Sequence, residues 1–472
     1  MLLPSVAAQP PAVDLAAGRS AYQQYCARCH GETGKGDGRD AKRQYPRPRD
    51  VTAGVYKFRS TATGTAPTDD DLFRTLTNGL PGSGMPDWRH LDEATRWQLV
   101  YYLKTLSSTF DGSPPEPIKT GTDPGRKHAD LAKGKQVYQK LGCAACHGVN
   151  GRANGMSAAT LQDTWNAALR PADLTYGWSY RGGSEPNAIL TRMLAGIDGT
   201  PMPSYAEAVA TEEAWQLAYY VRSLQQEPKW GAVATATRIE GRVPDSPDDP
   251  AWKAAQQTDI RLRPAVNTAG EITAPATVSA VSLNALVNGE AISLRLSWHD
   301  PSEDRNEPSD ALVVALRPEG VIGDVLTLQT WPLPGSPALD LCAWTANHPQ
   351  SREAVSSGYE PVLGASAPTV ALGGQATYQD GVWALVLTRP LAQQELSGGA
   401  RLEPGRLLPL ALAVWDGGNP DHRAISAWFD LSLGPPVDAH DAGTTKGASP
   451  YLVWLVAAIV AAIGAGLAIR KR

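Results

Sequence analysis

The sequence of 472 residues predicts a multidomain protein. It should hold two all-α units of one design, an all-β sandwich of immunoglobulin-like type, and one C-terminal transmembrane helix. Three observations predict this. A Cys-x-x-Cys-His run occurs twice, at 26–30 and at 143–147, inside segments that repeat. After Gln225 methionine disappears, and short runs rich in Val, Leu and Trp begin. Near the end, Tyr451 to Ile469 gives 19 residues without a charge, followed by Arg470-Lys471-Arg472.

Composition sets the bounds. Charged residues are 19% and apolar residues 42%, enough for packed cores. The 45 glycines and 38 prolines favour short elements and many turns. A net charge of −5 argues against nucleic acid as a partner. Residues 1–14 read as a residual leader or a disordered tail, since Val6-Ala7-Ala8 resembles the small-residue end of an export signal.

The first Cys-x-x-Cys-His run is Cys26-Ala-Arg-Cys29-His30; the second is Cys143-Ala-Ala-Cys146-His147. Two thiols on one helical turn can bond the two vinyl groups of a porphyrin. The histidine that follows can then ligate the iron. The pattern therefore marks two sites for covalently bound haem c. Neither run has a second cysteine pair nearby, which a structural zinc site would need. The fifth cysteine, Cys342, lies in the apolar run Leu341-Cys342-Ala343-Trp344 and reads as a small buried hydrophobe.

The haem runs belong to a duplication. Leu15-Ala16-Ala17-Gly18-Arg19 precedes the first and Leu131-Ala132-Lys133-Gly134-Lys135 the second. Met85-Pro86 and Met202-Pro203 each follow their histidine by 55 residues. Haem run and methionine repeat at an offset of 117; the closing segments beginning at Trp97 and Trp215 repeat at 118. Those segments carry apolar residues at helix spacing. Thr68-Asp69-Asp70-Asp71 predicts a capped helix ending near Asn78-Gly79. Glycine-rich loops should then deliver Met85 and Met202 close to a flat ligand.

The two units resemble class I cytochromes c over residues 15–110 and 129–226, with 111–128 as the linker. The resemblance implies iron ligation by His30 with Met85 and by His147 with Met202. His90 is the alternative to Met85, and Met193 or Met156 to Met202. Met/His ligation leaves no open iron position, which suits electron transfer. The run from Arg39 to Arg59 holds seven basic residues and two acids. It reads as a solvated face, a partner for haem propionates, or a dock for an acidic protein.

Residues 232–434 form the third unit. Leu294–Trp298, Ala311–Leu316, Val382–Leu387 and Leu408–Trp415 read as strands. Pro247-Asp248-Asp249-Pro250-Ala251-Trp252, Ser297-Trp298-His299-Asp300-Pro301, Thr388-Arg389-Pro390-Leu391 and Ala413-Val414-Trp415-Asp416-Gly417-Gly418 resemble the ethylbenzene dehydrogenase gamma-subunit family. That resemblance implies a β-sandwich holding a b-type haem through a methionine and a lysine. It also implies service to a molybdenum oxidoreductase with iron–sulfur centres. This unit has no methionine, and Lys253 is its only lysine. The expectation is that the third haem is lost; otherwise His299, His348 or His422 substitutes as ligand.

Residues 435–450 read as a linker and 451–469 as a membrane anchor. The basic end places the rest of the chain outside the cytoplasm, in the periplasm. No catalytic constellation is apparent. The expected role is an electron-transfer subunit, not an enzyme, working between a redox complex and a soluble or membrane carrier. Two alternatives stand beside it. One is a cytochrome subunit of another respiratory or photosynthetic complex, with the sandwich as scaffold. The other is a carbohydrate-binding haem protein that stacks sugars on Trp298, Trp344, Trp383 or Trp415.

Overall fold

A computed structural model describes residues 10–434, apart from 268, 273–275, 320, 322–331, 333–334, 365–368, 393–395 and 418–422. The expected linker 435–450 and transmembrane helix 451–469 lie outside the described residues, as do residues 1–9. Among the described residues, no helix is long and apolar enough to cross a membrane.

The first unit is built from α1 (Leu15–Tyr25), α2 (Ala27–His30), α3 (Asp69–Asn78) and α4 (Glu93–Lys104). Asp14 caps α1 by accepting from the backbone N–H of Ala17. Thr68 and Asp71 form a reciprocal capping box on α3. Helices α1 and α4 cross at Gly18. A methyl group there would stand 2.3 Å from the carbonyl oxygen of Gln98, so only glycine admits the close approach. Residues 10–14, expected as tail, are tied down. The Gln98 side chain donates to Ala12 O at 2.8 Å and accepts from Asp14 N at 2.6 Å. Tyr101 Oη donates to Pro11 O at 3.0 Å.

The second unit repeats this plan with α5 (Leu131–Lys140), α6 (Ala144–His147), α7 (Pro186–Ala195) and α8 (Thr211–Leu224). Gly134 meets Gln216 as Gly18 meets Gln98, at 2.2 Å. The connecting residues 111–128 lie against both units. Ile118 N donates to Ser60 O, Trp215 Nε1 to Thr120 O, and Tyr219 Oη to Asp123 Oδ1.

The third unit is all-β, with β1 (Val233–Arg238), β2 (Gln257–Pro264), β3 (Ala280–Val287), β4 (Ala291–His299), β5 (Ala311–Leu316), β6 (Leu339–Thr345), β7 (His348–Ser356), β8 (Val370–Ala371), β9 (Ala376–Gln379), β10 (Val382–Pro390), β11 (Leu407–Trp415), β12 (Arg423–Ser426) and β13 (Phe429–Ser432). The main path runs β8-β7-β6-β5-β11-β12-β2-β3-β4-β10-β9. Its two halves face one core, with Leu296 and Leu385 from one half and Leu312 and Leu412 from the other. The halves are not separate sheets. Strand β2 pairs with β3 and with β12, and β1 runs parallel to both β3 and β13.

Candidate haem sites

Each haem run sits on a single turn that follows the first helix of its unit. His30 N donates to Cys26 O and His147 N to Cys143 O, both at 2.9 Å. This turn puts both thiols and the imidazole on adjacent positions. The turn is pinned from behind: Tyr22 Oη donates to Gly31 O at 2.8 Å, and Tyr138 Oη to Gly148 O at 2.6 Å. Gly31 and Gly148 have φ of 81° and 79°, and a side chain at either would strike Asp37 or Asn154.

The imidazoles are oriented alike. His30 Nδ1 lies 3.1 Å from Arg49 O and His147 Nδ1 2.9 Å from Ala172 O. A carbonyl only accepts, so Nδ1 carries the proton and Nε2 keeps its lone pair for a metal. Burial lowers the pKa of both histidines, which favours the neutral, ligating form. The acceptors come from a second repeat that the duplication offered, Pro48-Arg49-Asp50-Val51-Thr52 and Pro171-Ala172-Asp173-Leu174-Thr175. Each aspartate accepts from the N–H and hydroxyl of its threonine. The signal for them in the sequence is the repeated Pro-x-Asp-x-Thr pattern at 48–52 and 171–175.

The methionine loops also match. Leu80 N donates to Met85 O and Ile197 N to Met202 O, each at 3.0 Å. Ser83 Oγ accepts from Met85 N and Thr200 Oγ1 from Met202 N, each at 3.2 Å. Both methionine side chains are half-buried. The alternatives have different surroundings. His90 is exposed, Met156 is 95% exposed, and Met193 is packed into the second unit's core.

Residues 13–103 match the family described as cytochrome C oxidase, cbb3-type, subunit III, and residues 131–225 match the cytochrome c family. The chain carries two cytochrome c domains. Two covalently bound c-type haems follow from that. The Cbb3-type cytochrome c oxidase subunit CcoP of Azospirillum sp. (strain B510) is 29% identical over 219 residues, 44% of this chain. The chain spans 62% of that relative's length. Chlorate reductase subunit gamma of Ideonella dechloratans is 27% identical over 218 residues, covering 43% of this chain and 87% of that protein. A chain of the Kuenenia stuttgartiensis reducing HAO-like protein complex is 39% identical over 46% of this chain and all of its own, with a TM-score of 0.44.

The residues between the two cytochrome c domains fit a haem's anionic edge. Arg59, fully buried, crosses from the first domain to the loop that carries Met202. It donates to Ala195 O at 3.0 Å and Asp198 Oδ1 at 2.8 Å. Arg192 crosses the other way, donating to the carbonyls of Lys57 and Arg59. Arg181 reaches Gly82 O in the Met85 loop at 3.5 Å. Burial, with the charges of Arg49 and Arg181 and against the pull of Asp163, pushes Lys57 down to about 8. Arg192 Nε is buried without a hydrogen-bond partner. Arg49, Lys57, Arg181 and Arg192 thus form a group of crowded, desolvated cations that would suit the anionic propionates of a haem. Within the basic run 39–59, Arg49, Lys57 and Arg59 face the second cytochrome c domain, while Arg39, Lys42, Arg43 and Arg47 are exposed. Lys42 also pairs with Glu271 of the β domain at 2.8 Å.

The β domain offers little to a third haem among its described residues. Lys253 is exposed, as is His348. His299 Nδ1 is engaged with Asp173 Oδ2 at 2.6 Å and its ring stacks on Tyr176 at 4.6 Å. His422 lies outside the described residues. Trp298, Trp344 and Trp383 pack on one another in the core, at most 2% exposed. Trp415 packs against Tyr359. These rings form no open platform for a sugar. Cys342 is buried in the same core, and burial pushes its thiol pKa well up.

Proposed function

We propose that this chain is a two-haem electron-transfer subunit that relays single electrons between a respiratory oxidoreductase complex and another carrier. The observation that supports this most directly is the matched geometry of the two haem sites. Each has a proximal histidine oriented by a backbone carbonyl and a methionine loop held by the same two hydrogen bonds. His30 with Met85 and His147 with Met202 then close both iron positions, which disfavours substrate chemistry at either. The thioethers are to Cys26 and Cys29 and to Cys143 and Cys146. A bound haem supplies a one-electron change at iron. The protein fixes the ligands, excludes water and neutralises the propionates.

The partner we favour is a molybdenum enzyme with iron–sulfur subunits, with this chain as its gamma-like subunit. Similarity to a chlorate reductase gamma subunit and the sandwich motifs support that reading. On this reading the β domain is a docking module that has lost its own b haem, and residues 451–469 anchor the chain with its bulk in the periplasm. The similarity to CcoP favours a second reading, a cytochrome subunit of another respiratory complex with the β domain as scaffold.

Purification in mild detergent tests both. We expect two c haems per chain, no extractable b haem, and a molybdenum-containing partner that co-elutes. Terminal-oxidase subunits in its place would support the second reading. In redox titration, Met85→Ala and Met202→Ala should each lower the potential of one haem only. An unmoved potential would mean that the ligand was misassigned.

A further inference from the structure

Three aspartates converge inside the β domain, apart from either haem run. Asp300 follows β4, Asp310 precedes β5 and Asp416 follows β11. Each offers a carboxylate oxygen within 4.8 Å of those of the other two. The three residues are 1%, 0% and 1% exposed. Buried carboxylates this close repel one another and need compensation from a proton or a cation. Arg170, from the second cytochrome c domain, approaches Asp416 Oδ2 at 3.3 Å and offsets part of the charge.

The arrangement favours a cation over a shared proton. Asp310 is held as a carboxylate by three N–H donors. Trp383 Nε1 and Asp304 N reach its Oδ2 at 2.9 and 2.8 Å, and Gly417 N reaches its Oδ1 at 2.8 Å. Asp300 Oδ1 accepts from Ser302 N at 3.2 Å. Its Oδ2, by contrast, is buried with no hydrogen-bond partner of good geometry, and the neighbouring Trp298 indole N–H is likewise unpaired. A buried carboxylate oxygen that no donor satisfies is costly, and burial beside Asp310 and Asp416 pushes the Asp300 pKa well up. In a cluster of further carboxylates, a cation is the partner that lowers that cost.

We propose that Asp300, Asp310 and Asp416 hold a structural calcium ion. An all-oxygen, carboxylate-rich set selects a hard divalent cation over zinc or copper. Three strand ends fix the ligands in a buried site, with little room for the several waters that magnesium keeps. That suits calcium, which accepts six to eight ligands in flexible geometry, better than magnesium, which demands an octahedron. The Asp304 carboxylate, positioned by Ser302 Oγ at 2.7 Å, is a further oxygen close by. The site adjoins His299, which grips Asp173, and includes Asp416, which grips Arg170. A bound ion would therefore stiffen the joint between the β domain and the second haem.

The test uses the full, haem-loaded protein, purified without chelator and dialysed exhaustively. Elemental analysis should find one calcium per chain beside two irons. Chelation with EGTA should lower the thermal unfolding temperature. Calcium should restore it, and magnesium at equal concentration should not. Asp300→Asn should lose the calcium and its thermal increment while keeping both haems. Wild-type protein without calcium, and with a melting curve indifferent to EGTA and calcium, would overturn the proposal, as would magnesium found at full stoichiometry instead. The wild-type arm decides even if the variant folds poorly.

Discussion

Arg59 shows how much a single side chain can carry at the joint between two domains. Its guanidinium donates to Ala62 O and Tyr56 O in its own domain, and to Ala195 O and Asp198 Oδ1 across the seam. Asp198 in turn accepts from Thr63 Oγ1 and Gly64 N. The segment from Ala195 to Asp198 leads directly into Met202, so the first domain braces the second domain's methionine. Arg59→Ala removes the cation and strands buried acceptors. We expect a loss of about 3 kcal/mol in stability. We also expect a weaker methionine–iron charge-transfer band and a lower potential at the second haem alone. Arg59→Lys keeps the charge but cannot reach four acceptors, and should fall between. Equal effects on both haems would point to general loosening instead. The sequence shows Arg59 only as the end of a basic run. A charge pattern records a need for counter-charge, not the address of the group that meets it.

At the scale of elements, the helical crossings are the most legible part of the fold. The Leu-Ala-x-Gly-x pattern before each haem run marks the crossing, because Gly18 and Gly134 stand where backbone meets backbone at Gln98 and Gln216. Gly18→Ala and Gly134→Ala should each cost roughly 1–3 kcal/mol through overpacking. Differential scanning calorimetry would show it, with the haem stoichiometry kept. An unchanged melting temperature would mean that the helices shift apart freely. Caps and periodicity gave α3, α4 and α8, and Val/Leu/Trp runs gave the cores of β4, β5, β10 and β11. Strand β1 escaped. Its Val-Ala-Thr-Ala-Thr-Arg alternation buries only Ala234 and Ala236, and distant partners β3 and β13 hold it. The short β8, β9 and β12 carry too few residues for a pattern and exist through their neighbours.

For the whole molecule, what local signals could not show is that three domains bear on the second haem. Ala172 O orients His147, and the next residue, Asp173, is bound by His299 of the β domain. The carboxylate can only accept, so His299 Nδ1 donates, and the stacking of its ring on Tyr176 at an angle of 2° fixes the same loop twice. The β domain thus reaches His147, the proposed iron ligand, through two residues. At the first haem the matching Asp50 accepts from its own Thr52, and Arg49 places its guanidinium over Trp165 of the second domain at 4.0 Å. The consequence is asymmetric. His299→Ala should remove about 2 kcal/mol from the domain joint, the range of a hydrogen bond to a charged group. It should also shift the second haem's potential by loosening the imidazole's acceptor, with the first haem unmoved. Potentiometry that resolves the two haems, run beside the Asp173→Asn variant, checks this. Matching shifts in both variants would mean that the β domain tunes the second haem. Unchanged potentials with a weakened joint would reduce the contact to a mechanical one.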